Sequence, residues 1–175
     1  MIKTLIFDFG DVFINLDKQA TLRELQNLDI SNFSEALVSH NKSYEMGLIS
    51  SEAFLTTYID EFSHLTSDQI RDSWNAILMD FPEYRFKFIK KLSEKKDYKL
   101  ILLSNTNEIH IDYIKQNVAF FEDFKNCFDS FYLSHEINLR KPNADIFEYV
   151  LKKEDLIAEE CLFIDDTAEN TEAAA

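Results

Sequence analysis

Ile2-Lys3-Thr4-Leu5-Ile6-Phe7-Asp8 opens the chain as a short apolar, β-rich run that stops at a carboxylate, and three later runs share its form: Leu100 to Leu103, Ser130 to Leu133 and Cys161 to Ile164. Each is bounded by polar or helical sequence and reads as a buried strand. Between the later runs lie segments of helical period. Glu108 to Gln116 sets Ile109, Tyr113 and Ile114 to one side, and Ala144 to Lys153 does the same with Ile146, Phe147, Val150 and Leu151. Strand alternating with helix implies an α/β fold, a Rossmann-like, mainly parallel sheet covered on both faces.

The interval between the first two runs is too long for one crossover and breaks into amphipathic pieces. Leu16 to Leu28 is the first. Ser34 caps a second, which ends at Gly47, a natural left-handed C-terminal residue. Ser50 or Ser51 opens a third, and Thr66 with Gln69 forms a capping box for a fourth. Pro82 suits the first turn of a helix running to about Ser93. Residues 1–14 and 81–175 are therefore expected to form the sheet core, and 15–80 an inserted all-helical cap over the strand ends. At the other end Thr167 opens a helix, after which a further strand would normally follow; whether the C-terminus is cut short stays open.

Composition narrows the function. The 175 residues are 46% hydrophobic with 16 Phe, ample for a packed core, whereas 2 Gly and 2 Pro argue against a turn-rich β fold. Lys plus Arg number 18 against 32 Asp plus Glu, a formal charge of -14 that repels a nucleic-acid backbone. No apolar run approaches the roughly 18 to 20 residues of a membrane span, and Asp8 interrupts what would otherwise resemble an export signal. A cytoplasmic enzyme without nucleic-acid or membrane partners is expected. Cys127 and Cys161 are too few and too far apart for a disulfide framework or thiolate zinc site, and read as reduced structural thiols.

The chemistry-bearing residues stand at the ends of strands: Asp8 after the first, Ser104 and Asn105 after the second, Asp165 and Asp166 after the fourth. In an open parallel sheet these ends face one crevice, where such folds bind ligands. Three converging carboxylates demand a counter-charge, and hard oxygen donors with room for water and phosphate suit Mg2+. Alone, Asp165-Asp166 would be explained equally by an acidic turn capping the helix from Thr167, and Asp8 by a cap or turn. Lys141, held ahead of a helix that Pro142 starts, could balance the acids and hold a phosphate oxygen. Ser104, Asn105 and Thr106, with the backbone N–H groups of the next helix, offer an anion cradle, with Thr106 or Asn107 as that helix's cap.

Four motifs in order resemble the haloacid dehalogenase superfamily, chiefly its magnesium-dependent phosphatase branch with a helical cap: Asp8-Phe9-Gly10-Asp11-Val12, Leu102-Leu103-Ser104-Asn105-Thr106, Arg140-Lys141-Pro142, and Leu162-Phe163-Ile164-Asp165-Asp166-Thr167 with Asn170. The first motif, with Gly10, is most similar to that of the alpha-D-glucose-1-phosphate phosphatase group. The resemblance implies Asp8 as nucleophile forming an aspartyl-phosphate. It implies Mg2+ held by Asp8, the Gly10 carbonyl and Asp166 with help from Asp165, Ser104 and Asn105 on the phosphoryl group, and Lys141 neutralising charge. The substrate would be a small phosphorylated metabolite, such as a sugar phosphate.

The sequence departs from the superfamily pattern at Gly10, where most of its phosphatases carry a second, acid–base Asp. Such assistance is worth about 10²- to 10⁴-fold, and Asp11 is the one candidate to replace it. Two other readings stay open: a metal-free dehalogenase in which Asp8 attacks carbon, disfavoured by the acidic pair, and a catalytically weak binding module that kept the fold. In the cap, Trp74, Tyr44, His40 and the Glu45-Met46-Gly47 turn are the pocket candidates, although Trp74 and Tyr44 also suit cap core and His40 the surface. Oligomeric state is not readable.

Overall fold

In the computed structural model, which describes residues 1–30 and 34–175, four parallel strands form one sheet: β1 (Thr4–Phe7), β2 (Lys99–Ser104), β3 (Ser130–Leu133) and β4 (Cys161–Ile164). Their order is β3-β2-β1-β4. Ile6 lies opposite Ile101 on one side and Phe163 on the other. The chain steps outward from β1 to β2 to β3, then returns to set β4 on the far side of β1. The reversal puts the carboxyl ends of β1 and β4 at the switch point of the sheet, where a ligand crevice opens. Paired residues begin at Thr4 rather than Ile2, with Lys3 leading into the ladder by accepting from Lys99 N–H at the start of β2 and donating to Glu160 O just before β4.

Period-two alternation sends strand residues to two different cores. Phe7, Leu100 and Leu102 pack with Phe9, Phe13, Phe81, Phe124 and Phe128 on one face, while Ile6, Ile101 and Leu103 meet Ile146 and Val150 on the other. The high phenylalanine content is concentrated in the first core, where Phe124 has Phe13 and Phe81 edge-on, each with ring centroids 4.9 Å away.

Ten α-helices are found among the described residues: α1 (Ala20–Asn27), α2 (Glu35–Glu45), α3 (Ser51–Glu61), α4 (Ser67–Asn75), α5 (Glu83–Lys95), α6 (Glu108–Asn117), α7 (Phe121–Lys125), α8 (Ser134–Ile137), α9 (Ala144–Lys153) and α10 (Ala168–Ala174). None is long and apolar enough to cross a membrane. Helices α1 to α4 share a core that includes Leu25, Tyr44, Phe54, Tyr58, Ile70 and Trp74, with Ile109 of α6 inserted into it. Ser34, Ser50 and Thr66 cap α2, α3 and α4 through their hydroxyls, and Thr66 with Gln69 makes the full capping box. Helix α2 ends in a Schellman motif, Gly47 N–H to Tyr44 O and Leu48 N–H to Ser43 O, with Gly47 at φ +65°. A Cβ on Gly47 would lie 1.9 Å from His135 O, so glycine is required there on both counts.

Four local expectations are corrected. The first cap helix begins at Ala20 rather than Leu16, because Asn15 to Asp17 pair antiparallel with Ile77 to Asp80 (Asn15 N–H to Asp80 O, Asp17 N–H to Ile77 O, both 2.9 Å) and leave no freedom to coil. Pro82 is the N-cap of α5, one position ahead of its first turn. Pro142 does not start a helix: α9 begins at Ala144 after Asn143, and Pro142 lies in the preceding turn. His40 is not free on the surface either, since its ring stacks on Phe54 at 5.7 Å.

His110 ties α4 to α6. Its Nε2–H donates to Trp74 O at 2.9 Å, and its Nδ1 faces the Asn107 amide nitrogen at 3.1 Å. Asn107 Oδ1 is already used as the α6 cap, accepting from His110 N–H, so a proton on Nδ1 would meet a donor. Burial pulls the imidazole from 6.5 to about 4, against the opposing pull of the Trp74 carbonyl. The unfolded chain therefore takes up a proton between those values that the native state refuses, and stability rises with pH across that window. The contribution, up to about 3 kcal/mol, is complete above pH 6.5 and lost as pH falls toward 4. Urea titrations at pH 7 and 4.5 should register this loss, and His110→Asn should reduce the pH dependence.

Candidate active site

Asp8 follows β1 directly and donates its N–H to Ile164 O, which fixes the ends of β1 and β4 side by side. Between them sits Lys141, 1% exposed, its Nζ 2.7 Å from Asp8 Oδ1 and 2.6 Å from Asp165 Oδ2. The Phe163 ring lies 5.3 Å from the same nitrogen. Burial pushes the Asp8 carboxyl above its ordinary range; Lys141 pulls it back, and the Asp165 charge adds to the rise. Asp165 is saturated, since beyond Lys141 it accepts from Thr167 N–H at 2.9 Å and from Asn170 Nδ2 at 3.1 and 3.0 Å. Its turn-capping and site roles coincide.

What holds Lys141 is Asn105, not a helix start. The Asn105 amide pairs with the lysine backbone at both ends, Nδ2 to Lys141 O at 2.8 Å and Oδ1 from Lys141 N–H at 2.9 Å. The side chain expected on the phosphoryl group thus uses its oxygen and one of its two amide hydrogens to position the cation. In the anion cradle, Thr106 N–H is likewise taken by Ser134 Oγ at 2.9 Å, and the cap of α6 is Asn107. Ser104 is buried at the mouth of β2, its hydroxyl bound only weakly to Asn105 O at 3.4 Å.

Asp8, Asp165 and Asp166 each offer a carboxylate oxygen within 4.8 Å of the others. Asp166 Oδ2 pairs with Lys18 at 2.7 Å, and Lys18 reaches on to Asp11 Oδ2 at 3.1 Å. Asp11 Oδ1 accepts from Leu16 N–H at 2.9 Å. Asp11, the expected substitute for the missing acid–base residue, therefore braces its own loop, at φ +53°, and faces Lys18. Four carboxylates against two ammoniums leave two negative charges, which one divalent cation would neutralise. The donor set fits a hard ion such as Mg2+, with Asp8 and Asp166 as carboxylate donors and Asp165 beside them; both oxygens of Asp165 and of Asp166 also have protein partners.

A Cβ on Gly10 would lie 2.7 Å from Leu16 Cδ1 and 3.8 Å from Asp8 Oδ2. A second aspartate there would require the end of the Leu16 side chain to shift. Beyond it opens a cavity of about 120 Å³ lined by Gly10, Leu16, Ser104, Asn105 and, from the end of α2, Glu45. Of the cap candidates, Glu45 alone reaches this cavity; Tyr44 and Trp74 are in the cap core. Sequence reasoning missed Lys18, Leu16 and the ion pair of Arg140 Nη2 with Glu45 Oε2 at 3.2 Å. Glu45 at least stood in a named turn; nothing in the local pattern singled out Lys18 or Leu16.

Comparison with known proteins gives a consistent result. A family model described as a hydrolase, haloacid dehalogenase-like hydrolase, matches residues 2–175. The chain is 26% identical to the D-ribitol-5-phosphate phosphatase of Bacteroides thetaiotaomicron over 97% of its own length and 85% of that protein's. It superposes with a TM-score of 0.86, at 31% identity, on a HAD family enzyme of Bacteroides thetaiotaomicron solved as wild-type protein with magnesium and inorganic phosphate, covering 99% of this chain and 89% of that one. A HAD-like family hydrolase of Porphyromonas gingivalis matches with a TM-score of 0.81, at 28% identity, over 99% of this chain and 86% of the other.

Proposed function

Because the chain belongs to the haloacid dehalogenase-like hydrolases, we propose that it is a Mg2+-dependent phosphomonoesterase acting on a small phosphorylated metabolite, a sugar or polyol phosphate, through an aspartyl-phosphate on Asp8. The observation that carries the reading is the buried Lys141 bridging Asp8 and Asp165 beside a third carboxylate, at the switch point of a parallel sheet. The relatives' ribitol phosphate and bound magnesium with phosphate support it.

Lys141 holds Asp8 Oδ1 and opposes the upward push of burial on its carboxyl, leaving Oδ2 to attack phosphorus. The bond from phosphorus to the leaving oxygen breaks as the Oδ2–P bond forms, the leaving oxygen taking a proton from water to depart as the alcohol; a second water then hydrolyses the acyl phosphate, releasing inorganic phosphate and restoring Asp8. Ser104, backbone amides after β2 and Lys141 bind the phosphoryl oxygens. Asn105 acts through Lys141, whose backbone it clamps. Mg2+, held by Asp8, the Gly10 carbonyl and Asp166, would offset negative charge on the phosphoryl group. Helices α1 to α4, residues 15–80, form the cap that screens the reaction from water.

The three clustered carboxylates disfavour the metal-free dehalogenase reading, since they would repel an anionic haloacid. The test is phosphate release from p-nitrophenyl phosphate and from pentitol and hexose phosphates, with Mg2+ or with a chelator. Chelation should lower turnover at least about a hundredfold. Release of halide from a 2-haloacid without metal, or metal-independent phosphate release, would overturn the proposal.

A further inference from the structure

We infer that Glu45, set by Arg140, is the leaving-group contact of this site, and that it selects phosphate esters whose remaining part is short, uncharged and hydroxylated. This deepens the phosphatase reading and rests on it.

The cavity beside Gly10, Ser104 and Asn105 is where the group esterified to a phosphoryl on Asp8 must extend. Its volume, about 120 Å³, is small and favours a leaving group of a few carbons. Its remaining walls are largely apolar, among them Leu16, Ile77 and Leu78, and suit a carbon chain. Glu45 is the one carboxylate lining it. One of its oxygens, Oε2, faces Arg140; for Oε1 no protein partner is seen among the described residues. A carboxylate oxygen accepts hydrogen bonds from hydroxyls and repels a second phosphate or carboxylate. A bisphosphate or an amino-acid phosphate is thereby disfavoured.

The position of Glu45 is built rather than incidental. Its own carbonyl accepts from Ser134 Oγ at 2.7 Å, and the same hydroxyl takes the Thr106 N–H of the loop after β2 at 2.9 Å. Met46 O accepts from Asn138 Nδ2 at 2.8 Å, and Gly47 is packed against the His135 backbone. The end of α2 is thus bonded, through Ser134, to the loop that follows Ser104, which keeps the carboxylate in register with the phosphoryl site. Arg140 precedes Lys141, so the residue that orients Glu45 and the one that neutralises Asp8 share one stretch of backbone clamped by Asn105. Burial raises the Glu45 carboxyl above its ordinary range, against the pull of Arg140. Such a group gains from a hydroxyl donor that replaces lost water.

The competing explanation is that Glu45 and Arg140 are only a strut between cap and core. The two are separated by comparing kcat/KM for a pentitol 5-phosphate with that for n-pentyl phosphate, a chain of equal length without hydroxyls, in the wild type, Glu45→Gln and Glu45→Asp. The wild type should favour the pentitol ester. Glu45→Gln should lower the pentitol-to-pentyl ratio about ten- to a hundredfold, the range for a lost charge-assisted hydrogen bond, and raise turnover of a pentitol bisphosphate relative to the monophosphate. Glu45→Asp, which keeps the charge but withdraws it, should fall between. A ratio unchanged in both variants, with both substrates depressed alike, means a strut and overturns the inference. A wild type that prefers the pentyl ester overturns it as well. Phosphate release from neither ester nor from p-nitrophenyl phosphate would instead sink the phosphatase reading beneath it.

Discussion

Asp8→Asn is expected to lose phosphate release by on the order of 10⁴-fold or more, the scale on which enzymes lose turnover when the group that bonds to substrate is removed. The amide is nearly the same shape as the carboxylate, so the end of β1 keeps its bond to Ile164 O and the packing around Phe9. Its nitrogen or oxygen cannot form the acyl phosphate. Asparagine also withdraws one of the two carboxylates facing Lys141, which removes the repulsion between Asp8 and Asp165 that adds to the raised Asp8 pKa. The variant should therefore fold, and its failure should be chemical. Rates of phosphate release, together with acid-quenched phosphoenzyme that is present in the wild type and missing in the variant, provide the check. Turnover within tenfold of wild type would remove Asp8 from the reaction.

Lys141→Met is expected to cost about 3–5 kcal/mol of folding stability, the penalty for removing one partner of a buried ion pair. The ammonium is 1% exposed and lies within 2.7 Å of two carboxylates, Asp8 and Asp165. Without it both carboxylates face each other in a desolvated crevice, and folding near neutral pH must either leave them uncompensated or protonate one. Urea unfolding of the metal-free protein measures the loss. The triple variant Lys141→Met, Asp8→Asn, Asp165→Asn, which removes the charges together, should recover much of it. A loss under about 1 kcal/mol for the single change would mean that solvent reaches the crevice.

The strands and the convergence of Asp8, Lys141 and the Asp165-Asp166 pair were legible because they are written in local pattern: an apolar run of strand length, then a polar residue where the run stops. The sheet order then brings those ends together, whatever lies between. The capped starts of α2, α3 and α4 were legible for the same reason, each resting on a hydroxyl and a backbone amide three residues on. What was not legible is long-range bonding of side chain to backbone. Asn105 reaches across 36 residues to grip the backbone of Lys141, and an asparagine after a strand looks identical whether it faces substrate or a neighbouring loop. The start of α1 was misjudged because Asn15 to Asp17 find partners some 60 residues away. Lys18 gave no sign at all, since a lysine that neutralises Asp11 and Asp166 resembles any solvated lysine until the chain is folded.

Leu16 beneath Gly10 couples those two positions sterically. An aspartate introduced at residue 10 would collide with the leucine methyl before it could approach a bound ester, so that side chain must first swing aside or be trimmed. The contact is with the far end of a flexible side chain, so a rotamer change at Leu16 admits the new Cβ, and a smaller residue at 16 would ease the exchange further.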